Sequence, residues 1–230
     1  MKTILLPMLC LPLVLGAATK VTLNESLSLD VEPDKMHTTV AFEERASQEQ
    51  PLRHHFNTLV KIVKRFNAKE GLECRGGSYR IAPQFSWSDN RQKFLGYRGT
   101  LQFSCEFDDI DTFNALSTEL DTAGTAYKAL KRQQGNVAWI VSDALASKSR
   151  DTLETLLIRR LAEKGDHLSE ATRQHCSLLS IDFQSAAQPR PVRGMALSEG
   201  MAKAASVPIE EPIQSDSALS LGARAEYFCE

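Results

Sequence analysis

The sequence predicts an α+β fold in which antiparallel sheets carry packed helices. Two patterns support this: segments whose apolar residues alternate with polar ones, and segments whose apolar residues recur every three or four positions. The order in which the two patterns follow each other sets the architecture.

Ser26 to Val31 and Met36 to Arg45 read as strands separated by the turn signal Glu32-Pro33-Asp34, with Met36, Val40 and Phe42 on one face. From Pro51 the period changes. Leu52, Phe56, Leu59, Val63 and Phe66 form the apolar stripe of an amphipathic helix, and proline suits its first turn. A long hairpin follows. Tyr79, Ile81, Phe85 and Trp87 alternate along one strand and Leu95, Tyr97, Leu101, Phe103, Cys105 and Phe107 along the other, so one face is expected to be core.

Phe113, Leu116 and Leu120 mark a second helix, capped by Asp109 or Asp111 and ending near Gly124. Val137 to Val141 is an apolar strand. Leu145, Leu153, Leu156, Leu157 and Leu161 mark a third helix that weakens at Gly165. Cys176 to Phe183 and Leu221 to Phe228 close the fold. The segment between them holds Pro189, Pro191, Pro208 and Pro212 and is too long for an ordinary turn. The succession strand-helix-strand-strand-helix-strand over residues 36–142 matches the ferredoxin-like split βαβ order. Residues 143–230 add a helix and closing strands with a connector at 185–220.

The first eighteen residues stand apart. Lys2 precedes the apolar run Ile4 to Leu15, which closes on Gly16, Ala17 and Ala18, the layout of a cleavable secretory leader. The run falls short of the roughly 20 apolar residues of a membrane span. The expected mature chain is residues 19–230, without a membrane span, and Cys10 leaves with the leader because Pro7-Met8-Leu9 lacks the small residues of a lipoprotein site. The net charge of −2 comes from well-mixed acids and bases, which gives no nucleic-acid footprint. Lys61, Lys64, Arg65 and Lys69 read as the solvated face of a helix.

No motif announces a reaction. His54 and His55 are adjacent on a helix and point apart, so they read as one exposed and one half-buried ring. His167 and His175 are too far apart to form a helical ligand pair. Asp108, Asp109 and Asp111 cluster where a strand yields to a helix, and capping explains them better than acid–base chemistry. A Gly-x-Ser-x-Gly elbow, a phosphate loop and a dinucleotide fingerprint are all missing from the sequence. These readings assign no catalytic residue, no cofactor and no metal.

The chemistry-bearing residues are Cys74, Cys105, Cys176 and Cys229, an even set in a chain expected to reach an oxidising compartment. Matching the apolar faces of the hairpin sets Phe85 opposite Leu95 and Tyr79 opposite Leu101, with a tip from Ser88 to Gln92. That register leaves Cys74 one residue away from Cys105, and a bulge at Gly76-Gly77 would bring the two opposite each other. Cys176 and Cys229 remain as the second pair. Antiparallel closing strands would bring them together, although their alternation phases disagree.

The chain resembles the SIMPL-domain family of exported bacterial proteins. The marks are Tyr79-Arg80-Ile81-Ala82-Pro83-Gln84-Phe85, then Gly96-Tyr97-Arg98-Gly99-Thr100, Ser142-Asp143, and Pro208-Ile209 through Pro212-Ile213 leading into Leu221 to Phe228. The third helix departs from the family's usual alanine-rich form, with leucines and Arg159-Arg160 in its place. The resemblance implies an α+β module of the periplasm or outer membrane that assembles with copies of itself, serves envelope maintenance or stress, and carries out no reaction. Two other readings are kept: a chaperone-like binder of peptides or lipids, and a hydrolase using Asp109 or Asp111.

Overall fold

The computed structural model describes residues 18–88, 91–185 and 208–230. The leader and most of the proline-bearing connector, including Ala196 to Ala205, lie outside the described residues. The fold is α+β, with three helices and two sheets. The strands are β1 (Thr19–Val31), β2 (Lys35–Ala46), β3 (Leu72–Ser88), β4 (Arg91–Phe107), β5 (Lys131–Gln134), β6 (Ala138–Ile140), β7 (Cys176–Ser185) and β8 (Ser217–Cys229). The helices are α1 (Glu49–Asn67), α2 (Ile110–Thr125) and α3 (Asp143–Thr172). The chain forms two compact units. One takes the described residues up to Leu29, those from Lys148 through β7, and Ala218–Glu230; the other takes Asp30–Ser147 and the described residues up to Ser217.

In the larger unit the sheet runs β3-β4-β2-β5, with β6 also paired to β2 and these four pairings all antiparallel. This is the strand arrangement of a split βαβ fold. The core lies between one face of this sheet and the two helices. Leu52, Phe56, Leu59, Ile62, Val63 and Phe66 of α1 and Phe113, Leu116 and Leu120 of α2 pack on Met36, Val40, Phe42, Leu101, Phe103 and Phe107. Asp109 caps α2 by accepting from the backbone N–H groups of Asp111 and Thr112 and from the Thr112 hydroxyl. The Thr112 bonds, with help from Asp111, hold its carboxyl below the usual carboxylate range.

The last strand of this sheet differs from the expected single strand at Val137–Val141. It is split into β5 and β6, and three residues, 135–137, face the two residues 38–39. β5 is polar and escapes a hydrophobicity pattern because it docks through charge. Arg132 reaches Asp121 of α2 at 2.6 Å and the Ser117 hydroxyl at 2.6 Å.

The hairpin register is also corrected. Tyr79 does face Leu101, Cys74 does face Cys105, and the register shifts between Gly76 and Tyr79. Phe85, however, faces Phe94 rather than Leu95, and the strands stay paired up to Ser88 and Arg91. A second shift, between Gln84 and Phe85, places an extra residue on β4 and cancels the first. Gly96 makes it possible. Its φ is 116°, and a Cβ there would lie 2.5 Å from the Ala46 carbonyl oxygen.

In the smaller unit the sheet runs β1-β8-β7. Leu153, Leu157 and Leu161 of α3 pack on Leu221, Ala223, Ala225 and Tyr227 of β8 and on Val21, Leu23, Leu27 and Leu29 of β1. The helix does not weaken at Gly165 but continues to Thr172, because Gly165 is the site where α3 meets the Tyr227 ring. The buried Tyr227 hydroxyl donates to the Leu161 carbonyl at 2.8 Å, and burial, with Glu25 nearby, raises its pKa above the ordinary phenol value. Glu25 shares the apolar phase of β1, where Arg160 at 3.4 Å and Lys164 at 3.2 Å neutralise it.

Gly99 sets how closely α1 approaches the sheet: a Cβ at this position would lie 2.3 Å from a carbon of the fully buried Phe56 ring. Gly99→Ala is expected to cost about 1–3 kcal/mol as an overpacking change. In urea this should lower the unfolding midpoint with the slope unchanged.

Candidate functional site

The structure joins the four cysteines in two cross-strand disulfides. Cys74 and Cys105 sit opposite each other on β3 and β4 with Cα atoms 3.9 Å apart, and Cys176 and Cys229 do so on β7 and β8 at 4.0 Å. The phase disagreement of the second pair is resolved by a register shift between Leu178 and Ser180. Leu179 is the extra residue. It lets Cys176 face Cys229 while Ile181 faces Ala225, and it is left 57% exposed. The ends of β7 and β8 are further joined by reciprocal backbone bonds between His175 and Glu230.

The histidines do not form a common site. His54 is exposed, whereas His55 is half-buried with Nδ1 2.9 Å from both carboxylate oxygens of Glu44, itself 4% exposed. Tyr127 stacks on the His55 ring at 3.6 Å. The arrangement ties α1 to β2 and satisfies the buried carboxylate. On the opposite face of the sheet, His37 Nε2 lies 2.8 Å from the Ser104 hydroxyl, a pairing that depends on the β2–β4 register and has no local sequence signal. A hydroxyl beside an imidazole is half of a nucleophile–base arrangement, but among the described residues no carboxylate hydrogen-bonds to this ring to orient it. Among the described residues no group of three His, Cys, Asp or Glu side chains could hold a metal ion.

The end of the connector is anchored rather than loose. Asn114 exchanges two hydrogen bonds with the Ile209 backbone, the Trp139 indole donates to the Pro212 carbonyl at 2.8 Å, and Gln214 donates to the Pro33 carbonyl. Asp34 receives the backbone N–H and hydroxyl of Ser142, and that hydroxyl accepts the Leu145 N–H at the start of α3. Each of the motifs Asp34, Ser142-Asp143 and Pro208 to Ile213 therefore has a structural task.

The tip of the β3–β4 hairpin departs most from expectation. Phe85, Trp87 and Phe94 lie on the face that is core further down the strands and Leu95 is the bulged residue beside them, yet Phe85, Trp87, Phe94 and Leu95 are 47%, 73%, 47% and 58% exposed. The reason is the reach of the neighbours. β2 ends at Ala46, opposite Tyr97, and α1 turns back over the sheet from there, so neither covers the hairpin beyond that point. Phe85 and Phe94 pack at 5.6 Å, and Phe94 meets the Tyr97 edge at 5.3 Å because the shift at Gly96 keeps both on one face.

A family model described as SIMPL, a protein of unknown function (DUF541), matches residues 21–225, nearly the whole chain. The chain belongs to the SIMPL family. The SIMPL match spans both compact units. No curated protein matches the chain. Among solved structures it is similar to the de novo designed protein Foldit4, with 13% identity and a TM-score of 0.28 over 44% of this chain and 97% of that one. It is also similar to a hydantoinase/carbamoylase family amidase from Burkholderia ambifaria, with 11% identity and a TM-score of 0.33 over 47% of this chain and 29% of that one. A third similarity is to an unknown protein from Galdieria sulphuraria, with 9% identity and a TM-score of 0.25 over 84% of this chain and 82% of that one.

Removing the hairpin bond by Cys74→Ala with Cys105→Ala is expected to destabilise the protein by about 2–4 kcal/mol, seen as a lower melting temperature. Non-reducing peptide mapping of the unaltered protein should recover Cys74 linked to Cys105 and Cys176 linked to Cys229. A Cys74–Cys176 peptide would contradict the register.

Proposed function

We propose that this SIMPL protein is an exported, non-enzymatic envelope module that works by assembling with copies of itself in the periplasm. The observation that carries the reading is β7. Among the described residues it is an edge strand of its sheet, and Leu179 and Phe183 on it are exposed. An edge strand offers unpaired backbone groups to another chain, and exposed apolar residues on it favour pairing over solvation. The two disulfides agree with an oxidising compartment. Among the described residues no helix is long and apolar enough to cross a membrane. Asp109, a candidate for hydrolysis, is engaged in capping α2.

The test is the mass of residues 19–230 in solution, measured by light scattering coupled to size exclusion. A defined multimer is expected, and Leu179→Lys with Phe183→Lys should reduce it towards the mass of one chain without changing the far-UV spectrum. An unaltered protein that stays monomeric at every accessible concentration overturns the proposal.

A further inference from the structure

Beyond Tyr97 the β3–β4 hairpin continues as a two-stranded ribbon without β2, over Gln84–Ser88 on one strand and Arg91–Gly96 on the other. Five residues on β3, matched by six on β4 of which one is bulged, correspond to a reach of roughly 17 Å. Two-stranded ribbons are marginal in water. This one is held by an aromatic cluster whose Phe85 and Phe94 rings are each about half in solvent.

Its two faces differ. Register puts Pro83, Phe85 and Trp87 of β3 on the same face as Phe94 and Tyr97 of β4, and the other face carries Ser86, Arg91 and Lys93. Between Tyr79 and Arg98 the sequence has Arg80, Arg91, Lys93 and Arg98 against the single acid Asp89, in a chain whose net charge is −2. Arg80 and Arg98 lie where β2 still flanks β4, and Arg98 is held by Glu43. Arg91 and Lys93 are on the ribbon itself, exposed beside Phe94 and Leu95.

We infer that this ribbon is a membrane-contacting element that inserts its aromatic end into the surface of a bilayer containing anionic phospholipid. A two-stranded ribbon with apolar residues on one face is narrow. A lipid interface deforms around it. Tryptophan and phenylalanine settle at the boundary between headgroups and acyl chains, as aromatic belts do. The long Arg91 and Lys93 side chains extend to the phosphates, within the screening length of about 8 Å. The inference does not depend on the assembly proposed above, since that rests on β7 in the other unit.

The experiment is flotation of residues 19–230, with both disulfides intact, on phosphatidylcholine vesicles with and without about 30 mol% phosphatidylglycerol, a proportion giving a strongly negative surface. The protein is expected to float with the anionic vesicles, less so as salt is raised, and its tryptophan emission should shift to the blue. Arg91→Glu with Lys93→Glu should weaken partition by at least about fivefold per residue, as follows from ~1 kcal/mol per basic side chain near such a surface. Trp87→Ser with Phe94→Ser should weaken it at least about tenfold, through the loss of apolar area entering the interface. Both variants must keep the far-UV spectrum and disulfide map of the parent. Equal flotation with and without phosphatidylglycerol, no flotation, or tip variants that dissociate a multimer while flotation is unchanged would each overturn the inference, the last assigning the ribbon to a second copy of the chain.

Discussion

β4 pairs with β2 along one side and with β3 along the other, and the larger unit depends on both registers holding together. Side chains on a strand alternate, so a slip of one residue would turn Leu101, Phe103, Cys105 and Phe107 away from the helices. The β2–β4 pairing is unbroken from Met36 opposite Phe107 to Ala46 opposite Tyr97. Both irregularities are therefore confined to the β3–β4 pairing: one at Gly76-Gly77, the other beside Gly96. The Cys74–Cys105 bond fixes that pairing on the helix-facing side of the first irregularity. Because the two shifts cancel, the end of the hairpin has the same phase as its base, and the core pattern extends into solvent.

The smaller unit solves a similar problem by another route. Leu179 is extruded so that both Cys176 and Ile181 can turn inward, and the cost of that bulge is an exposed leucine on an edge strand. Across its sheet, the Tyr227 ring lies against Gly165, its hydroxyl reaches a helix carbonyl, and Arg160 and Lys164 of the same helix neutralise Glu25. Gly165 looks like a helix breaker in the sequence. In the fold it lies against an aromatic ring, with a Cβ there 3.4 Å from Tyr227.

Two sets of exposed apolar residues on strands are set apart in the chain: Leu179 and Phe183 on β7, and Phe85, Trp87, Phe94 and Leu95 on the ribbon. Of these two sets, the second is the one accompanied by a local basic excess. That difference in electrostatics is why strand pairing is proposed for the first surface and lipid contact for the second.

The sequence by itself determined the order of the helices and of the strands other than β5, the helix stripes from Leu52 to Phe66 and from Phe113 to Leu120, a cap at Asp109 or Asp111, and the need for a bulge at Gly76-Gly77 to align Cys74 with Cys105. These follow from local periodicity and from two strands joined by a short turn, and both are written in neighbouring residues. Tertiary structure alone decided the rest. β5 is a strand because Arg132 finds Asp121 and Ser117 on a helix, His37 meets Ser104 because β2 lies beside β4, and β1 leaves its neighbour in sequence to pair with β8. Whether Phe85 and Trp87 are core or surface was likewise not legible in their alternation. Alternation states which face a side chain takes, whereas exposure depends on how far β2 and α1 reach along that face.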